Sequence, residues 1–322
     1  MIDRSRALII GINGQDGIYL SQILHSFGHF VVGVGTSSKI NKYVSSGVSY
    51  FQCDVRDTSK LLDVIKKNDV QEVYNLAAIS SVHQSFLDPS TTLEINYSAV
   101  ERLLKALYSS QSQNFNHLRF FQASSSEMFG ITHTEPQNED TIFNPVSPYA
   151  ISKVKALESC RRYRADGFHV SSAIMYNHES VHRSTQYVTR KISNTVASIA
   201  CGKANKLTIG NLHAQRDWGY AFDFMKAASL ILQQSIPDDY IVATGVVHSV
   251  YDLISMAFEE VGLGGKEKEF VEIDKGLLRP NEINRLIGDS SKAREVLGWQ
   301  NTKTFGEVFR NMVRHDLSLL GK

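Results

Sequence analysis

Cysteine is scarce in this chain, with only three residues (Cys53, Cys160 and Cys201) in 322. Their number is odd, they lie far apart, and no C-x-x-C pair occurs, which argues against a disulfide framework and for a reducing cytoplasm. An excess of one charge is also missing. Lys and Arg total 34 against 33 Asp and Glu, a formal net charge of +1. A dedicated nucleic-acid binder would carry a basic excess, and no run of like charges appears. No stretch reaches the roughly 18 consecutive apolar residues of a membrane helix. Met1-Ile2-Asp3-Arg4-Ser5-Arg6 precedes an apolar run too brief for a signal-peptide core. No low-complexity linker and no internal repeat divides the chain. What remains is an ordinary composition, 42% apolar and 21% charged. That excludes a disordered chain, a collagen and a coiled coil, and the length suits one large unit or two fused ones. The expectation is a cytoplasmic protein with neither a nucleic acid nor a membrane as partner.

The first half alternates strand-like and helix-like segments. Ala7-Leu8-Ile9-Ile10 is a continuous apolar run of the kind buried on both faces of a parallel sheet. A helix is expected from about Gly17 to Phe27. Strands are expected at His29–Val34, Ser49–Cys53, Glu72–Ala77 and Leu118–Ala123, with helices at Leu61–Ile65 and Ile95–Leu107 between them. This rhythm indicates β-α-β units and an α/β fold with a Rossmann-type, doubly wound parallel sheet. After about Tyr176 the rhythm changes, which predicts a smaller C-terminal α/β substrate lobe. Residues 1–176 are assigned to the first domain, with 214–247 returning to it. Residues 177–213 and 248–322 are assigned to the lobe.

Two local patterns carry chemistry. Gly11-Ile12-Asn13-Gly14-Gln15-Asp16-Gly17 follows the first strand and opens the first helix. Glycines there permit a tight turn and bring backbone N–H groups to a pyrophosphate at the helix N-terminus; the plain alternative is a strand-to-helix turn. Asp54, after the third strand, can accept the adenine amino group or cap the next helix. Ser147-Pro148 can start a helix on which Tyr149 and Lys153 share a face. An ammonium beside a phenol lowers its pKa and makes a proton acceptor, unless the two are simply an exposed aromatic–cation pair. Ser124-Ser125-Ser126-Glu127 lies just beyond the fifth strand, where open α/β sheets bind ligands; the plain alternative is a polar loop capping the Glu127–Phe129 turn. His178 and His182 are four apart, but no third ligand is evident, so no metal is expected.

Taken together, these features resemble the extended short-chain dehydrogenase/reductase superfamily, and more closely its GDP-mannose 4,6-dehydratase family. The resemblance runs from Gly11 to the last helix. Its pieces are GINGQDG (11–17), NLAA (75–78), QASSSEMFG (122–130), SPYAISK (147–153), YNHES (176–180), VTRKI (188–192), GNLHAQRDWGYA (210–221), ATGVVHSV (243–250) and RPNE (279–282). It implies a GDP-sugar substrate, an NADP cofactor with NAD as the alternative, and a homodimer or homotetramer. The implied reaction is a hydro-lyase step with internal hydride traffic. C4 of the sugar is oxidised, which makes the C5 proton acidic; water leaves across C5–C6, and hydride returns to C6. By resemblance Tyr149 removes the O4 proton, Lys153 holds the nicotinamide ribose, Ser125 hydrogen-bonds O4 and Glu127 abstracts the C5 proton. The implied cofactor residues are Gly11, Asn13, Gly14, Gln15, Asp16, Gly17, Thr36, Ser37, Asp54, Val55, Leu76, Ala77 and Ala78, with Tyr149 and Lys153. The implied sugar-nucleotide residues are Asn177, Glu179, Val188, Lys191, Arg216, Arg279 and Glu282. Two further readings are a structural Arg216–Asp217 ion pair and a turn at Arg279-Pro280.

The chain departs from the family pattern in places. Gly35-Thr36-Ser37-Ser38-Lys39 stands where an arginine pair usually grips the 2′-phosphate of NADP, yet no acidic residue replaces it. Ser125 replaces the usual threonine, Ile79 and Ser81 replace a glutamine and a histidine, and Val181-His182-Arg183 replaces a further arginine pair. These changes suit a divergent relative, one acting on another GDP-sugar such as a GDP-heptose. The competing readings are a 4-epimerase or 4-reductase on the same fold, and a non-enzymatic cofactor-sensing scaffold.

Overall fold

The computed structural model describes residues 5–110, 117–278 and 283–321. Its larger unit is a seven-stranded sheet built from β1 (Arg6–Ile10), β2 (Phe30–Gly35), β3 (Ser49–Gln52), β4 (Glu72–Asn75), β5 (Arg119–Ser125), β6 (Val170–Met175) and a later strand, Asp239–Val242. The order across the sheet is Asp239–Val242, β6, β5, β4, β1, β2, β3, and every neighbouring pair is parallel. Parallel strands need crossover helices on both faces, so both faces of the strands are buried. Ala7, Leu8, Ile9 and Ile10 are accordingly excluded from water. One face packs on helices Gln15–Ser26 and Ala221–Gln233, and the other on Thr58–Lys67, Ala99–Ser109 and Pro148–Ala165. The strand order reverses between β1 and β4, which opens a crevice at their carboxyl ends.

The smaller lobe is held by two little sheets. β7 (Asn177–Glu179), β8 (Leu207–Ile209), β9 (Gln215–Tyr220), β10 (the Asp239–Val242 strand of the large sheet), β11 (Val247–Ser249), β12 (Val271–Ile273) and β13 (Arg285–Leu286) complete the strands. β9 sits at the centre of one small sheet, with β7, β11 and β13 as its partners, while β8 pairs with β12. A separate core gathers Ile192, Val196, Trp218, Leu253, Phe258, Phe309 and Val313. The 214–247 segment therefore divides. β9 belongs to the lobe, and only the Ala221–Gln233 helix and β10 return to the large sheet. The run 293–299 also returns: Ala293, Leu297 and Trp299 pack in the core that holds Phe224 and Ile241.

The element boundaries show where backbone geometry overrides pattern. The expected Ile95–Leu107 helix is a π turn at Glu94–Ser98 followed by an α-helix at Ala99–Ser109. β5 runs on through Ser124 and Ser125, and Ser126 opens the 3₁₀ turn that follows, so the serine run begins as strand and ends in a turn. Among the described residues no helix is long and apolar enough to cross a membrane.

Candidate active site

The glycine turn is built as the sequence pattern requires. Gly11 has φ +89°, and a Cβ there would stand 2.9 Å from the backbone nitrogen of Ala77. The turn thus abuts the Leu76–Ala78 loop leaving β4. Gly17 lets the helix approach the turn, since a Cβ would fall 2.4 Å from Cα of Ile12. Gly14 differs: the nearest atom to its Cβ position is the Gly11 carbonyl oxygen at 3.5 Å, so the space in front of it is open. It is the N-cap of the Gln15–Ser26 helix and has no side-chain cap. An uncapped helix N-terminus with a bare glycine in front is a fitting cradle for a diphosphate.

The other cofactor-side residues divide by what their side chains touch. Asn13 ties down the loop after β2, donating to the Lys39 carbonyl and accepting from the backbone N–H of Asn41 (2.8 Å). Thr36 and Ser37 are exposed there, with Lys39 beside them. Asp54 does not cap the following helix; Asp57 does, accepting from the Lys60 N–H. The Asp54 carboxylate is instead gripped by Arg56 at 2.8 and 2.9 Å, which draws it below its ordinary pKa. Val55 is buried in the core, so it has only its backbone to offer. Gln15 and Asp16 point toward the lobe. Gln15 donates to the His178 carbonyl and accepts from the Ser180 hydroxyl, and Asp16 pairs with His178. Both ring nitrogens of His178 are thereby committed, Nδ1 to the Tyr176 carbonyl at 2.7 Å and Nε2 to Asp16. Among the described residues no group of three metal-ligating side chains occurs.

Ser125, Glu127, Tyr149 and Lys153 converge at the carboxyl end of β5. Ser147 caps the Pro148–Ala165 helix, as expected, and presents Tyr149 and Lys153 on its inner face. Both side chains are buried, which excludes an exposed aromatic–cation pair. Lys153 Nζ donates to the Ala123 carbonyl at 2.8 Å and stands 5.8 Å from the Tyr149 ring centre. The Ser125 oxygen accepts from the Glu127 N–H, capping a 3₁₀ turn at Ser126–Phe129. Burial sets the titration of the pair. It pushes the Tyr149 phenol well above its ordinary value and Lys153 down to about 8. The expected lowering of the phenol by Lys153 is absent; Ser125 and Arg183 pull it down, while Glu127 opposes them. Desolvation outweighs the cation because both groups are sealed from water.

On the lobe side, Arg216 lies 3.9 Å from Glu127 and donates to the carbonyls of Gln215 and Ile283. It does not pair with Asp217, whose carboxylate accepts instead from Thr244 and Gly245. Asn177 is half-buried on β7, and Val188 and Lys191 are half-buried in the first turn of the Val188–Ala200 helix. Glu179 is 1% exposed, and its carboxylate is held by Thr189 at 2.7 Å and Arg183 at 3.3 Å. Arg279 and Glu282, with the Arg279-Pro280 turn, lie outside the described residues.

Three positioning residues escaped the sequence pattern. Asn96, in the π turn, bonds both backbone groups of Ile79 and donates to the Ser152 hydroxyl, joining the β4 loop to the Pro148–Ala165 helix. Arg183 stacks 3.7 Å over the Tyr187 ring. Tyr187 in turn shares a 2.6 Å hydrogen bond with Ser80. The π turn at Asn96 is invisible to helical periodicity, whereas Arg183 stood within a motif-breaking stretch that could have drawn attention.

A family profile described as GDP-mannose 4,6 dehydratase matches residues 8–312. The chain is 42% identical to GDP-mannose 4,6 dehydratase 1 of Arabidopsis thaliana, over 98% of this chain and 91% of that one. It is 38% identical to the GDP-mannose 4,6-dehydratase of Sinorhizobium fredii, over 99% of both. Among solved structures, a UDP-glucose 4-epimerase from Thermotoga maritima with UDP-glucose superposes with a TM-score of 0.86 at 20% identity, covering 98% and 99% of the two chains. The NADPH complex of RMD from Pseudomonas aeruginosa gives 0.80 at 22% identity, covering 98% of each.

Proposed function

Since this chain belongs to the GDP-mannose 4,6-dehydratase family, we propose that it turns a GDP-hexose into its GDP-4-keto-6-deoxy derivative with NADP as its resident cofactor. The chain is a 4,6-dehydratase, a hydro-lyase of the short-chain dehydrogenase/reductase type. Bound at the glycine turn, NADP supplies a hydride acceptor and donor within one turnover. Tyr149 takes the O4 proton of the sugar as C4 is oxidised. Ser125 orients O4. Lys153, charged below about pH 8, holds the nicotinamide ribose. Glu127 takes the proton from C5, made acidic by the new ketone, and water leaves from C6. Asn177, Val188, Lys191 and Arg216 hold the GDP moiety on the lobe side, with Arg279 and Glu282.

The observation carrying this reading is the gathering of a hydroxyl, a phenol and a carboxylate at one strand end, Ser125 capping the turn that bears Glu127. An epimerase or reductase has no step for that carboxylate. Preference for NADP is supported by the lack of an acidic residue after β2, where Thr36, Ser37 and Lys39 are open to a 2′-phosphate. Buried or half-buried free cysteines suit a cytoplasmic setting, and the family resemblance suits a homodimer or homotetramer. The test is incubation with GDP-mannose and catalytic NADP, followed by mass spectrometry. A product lighter by one water is expected; an isomer of unchanged mass would overturn the reading in favour of epimerisation.

A further inference from the structure

The cleft has a second pair of hydroxyls that the steps above do not use. Ser80 lies on the loop leaving β4, and Tyr187 caps the Val188–Ala200 helix of the lobe. Their oxygens are 2.6 Å apart, so the two walls of the cleft are joined there. Each wall is braced from behind. Asn96 holds the neighbouring Ile79 by both backbone groups and is itself tied to Ser152 of the Pro148–Ala165 helix. On the other side Arg183 covers the Tyr187 ring at 3.7 Å and is anchored on buried Glu179. The ring is therefore fixed, and the Ser152 hydroxyl to which Asn96 is tied donates to the Tyr149 carbonyl at 2.7 Å, which links the pair to the helix carrying Tyr149.

Two hydroxyls bring two O–H donors, and their mutual bond uses only one. Among the described residues neither hydroxyl makes another hydrogen bond, and Ser80 is exposed. The pair thus keeps one donor and spare acceptor capacity at a solvent-facing point tied, through Asn96 and Ser152, to the helix carrying Tyr149. A sugar hydroxyl, itself donor and acceptor, matches that capacity.

We propose that Ser80 and Tyr187 form a sugar-hydroxyl site, a specificity-determining clasp that takes one hydroxyl of the hexose between the two walls of the cleft. The inference rests on the nucleotide-sugar reading above and adds a contact to the sugar itself. The contact is made in the ground state as in the transition state, so its loss appears as weaker binding with little change in kcat.

The test compares Tyr187→Phe and Ser80→Ala with the parent holoenzyme by calorimetry, using GDP-mannose and GDP as separate probes. Tyr187→Phe should weaken GDP-mannose about tenfold, the usual size for one neutral hydrogen bond. GDP and NADP affinity should stay within about twofold. Ser80→Ala should act in the same direction, and the double variant should add little, because the two share one site. Equal loss for GDP and GDP-mannose would reduce the pair to architecture and overturn the proposal. So would unaltered GDP-mannose affinity in both variants. Binding is read without turnover, so the clasp and the reaction can fail separately. A parent enzyme that binds GDP-mannose but releases no water contradicts only the reaction. One that dehydrates it while Tyr187→Phe binds normally contradicts only the clasp.

Discussion

His178 reaches back across the sequence to Asp16, with Nε2 3.1 Å from both carboxylate oxygens. The ring also stacks on Phe224 of a third segment, its centre 4.7 Å away. One imidazole thus joins the glycine turn, the lobe and the returning helix.

The pair predicts a particular pH dependence of stability. Burial alone would lower the His178 pKa, but the Asp16 carboxylate wins and raises it. Burial alone would raise Asp16, but His178 wins and holds it below its ordinary value. The histidine contribution is complete below its unfolded pKa of about 6.5 and is lost as pH rises through the raised folded value. The Asp16 contribution is present above about 3.8 and is lost as pH falls through the lowered folded value. Asp16→Asn should therefore cost more thermal stability near pH 6 than near pH 9. Melting curves of both proteins across that range check it, and an equal cost at both ends contradicts it.

Glu127→Gln should lower kcat by about 10²–10⁴, the usual contribution of a general base. The amide keeps the shape and removes the proton acceptor. In deuterated water the variant should also cease to exchange the C5 proton. Exchange at the parental rate would mean another group does that work.

Lys153 gives an alkaline limb. Its ammonium is lost through about pH 8, so kcat/KM of the parent should fall above that point. In Lys153→Arg the residual activity should show no such limb below about pH 10, since guanidinium stays charged. The stability effect has the opposite sense. A depressed lysine pKa means that the unfolded chain binds more protons between about 8 and 10.5, so this group's penalty on folding is largest below pH 8. Lys153→Met should accordingly raise the melting temperature at pH 7 by at least about 2 °C.

Gly14→Ala and Gly17→Ala should part company. The first has room for a methyl group, and φ −77° suits alanine. It should fold normally yet bind NADP about tenfold or more weakly, because the methyl intrudes on the diphosphate cradle. The second drives a Cβ into the Ile12 backbone and should lower the melting temperature outright. Dinucleotide titration and melting of both variants decide the matter.

These contrasts show what the sequence made readable. The glycine turn, the Ser147 cap and the Tyr149–Lys153 spacing depend on residues a few positions apart, so their geometry follows from local rules. The partners of Glu179 and Asp54, Thr189 and Arg183 in one case and Arg56 in the other, could not be read from spacing, although they decide how each carboxylate is held. Ser80 and Tyr187 are separated by 107 positions and meet only in the fold. The direction of the Tyr149 shift was misread for a similar reason, because spacing reveals a neighbouring cation but not the exclusion of water from both groups. β9 was assigned to the wrong unit because six residues of strand say nothing about which sheet they join.

The placement of β10 has a consequence for how the chain may be cut. β6 ends at Met175, yet its side away from β5 is covered by β10, which arrives after the lobe has begun. A fragment ending near residue 176 would expose a row of unpaired amides and carbonyls along β6, an invitation to edge-to-edge aggregation. The two units are woven together, and neither should survive expression without the other.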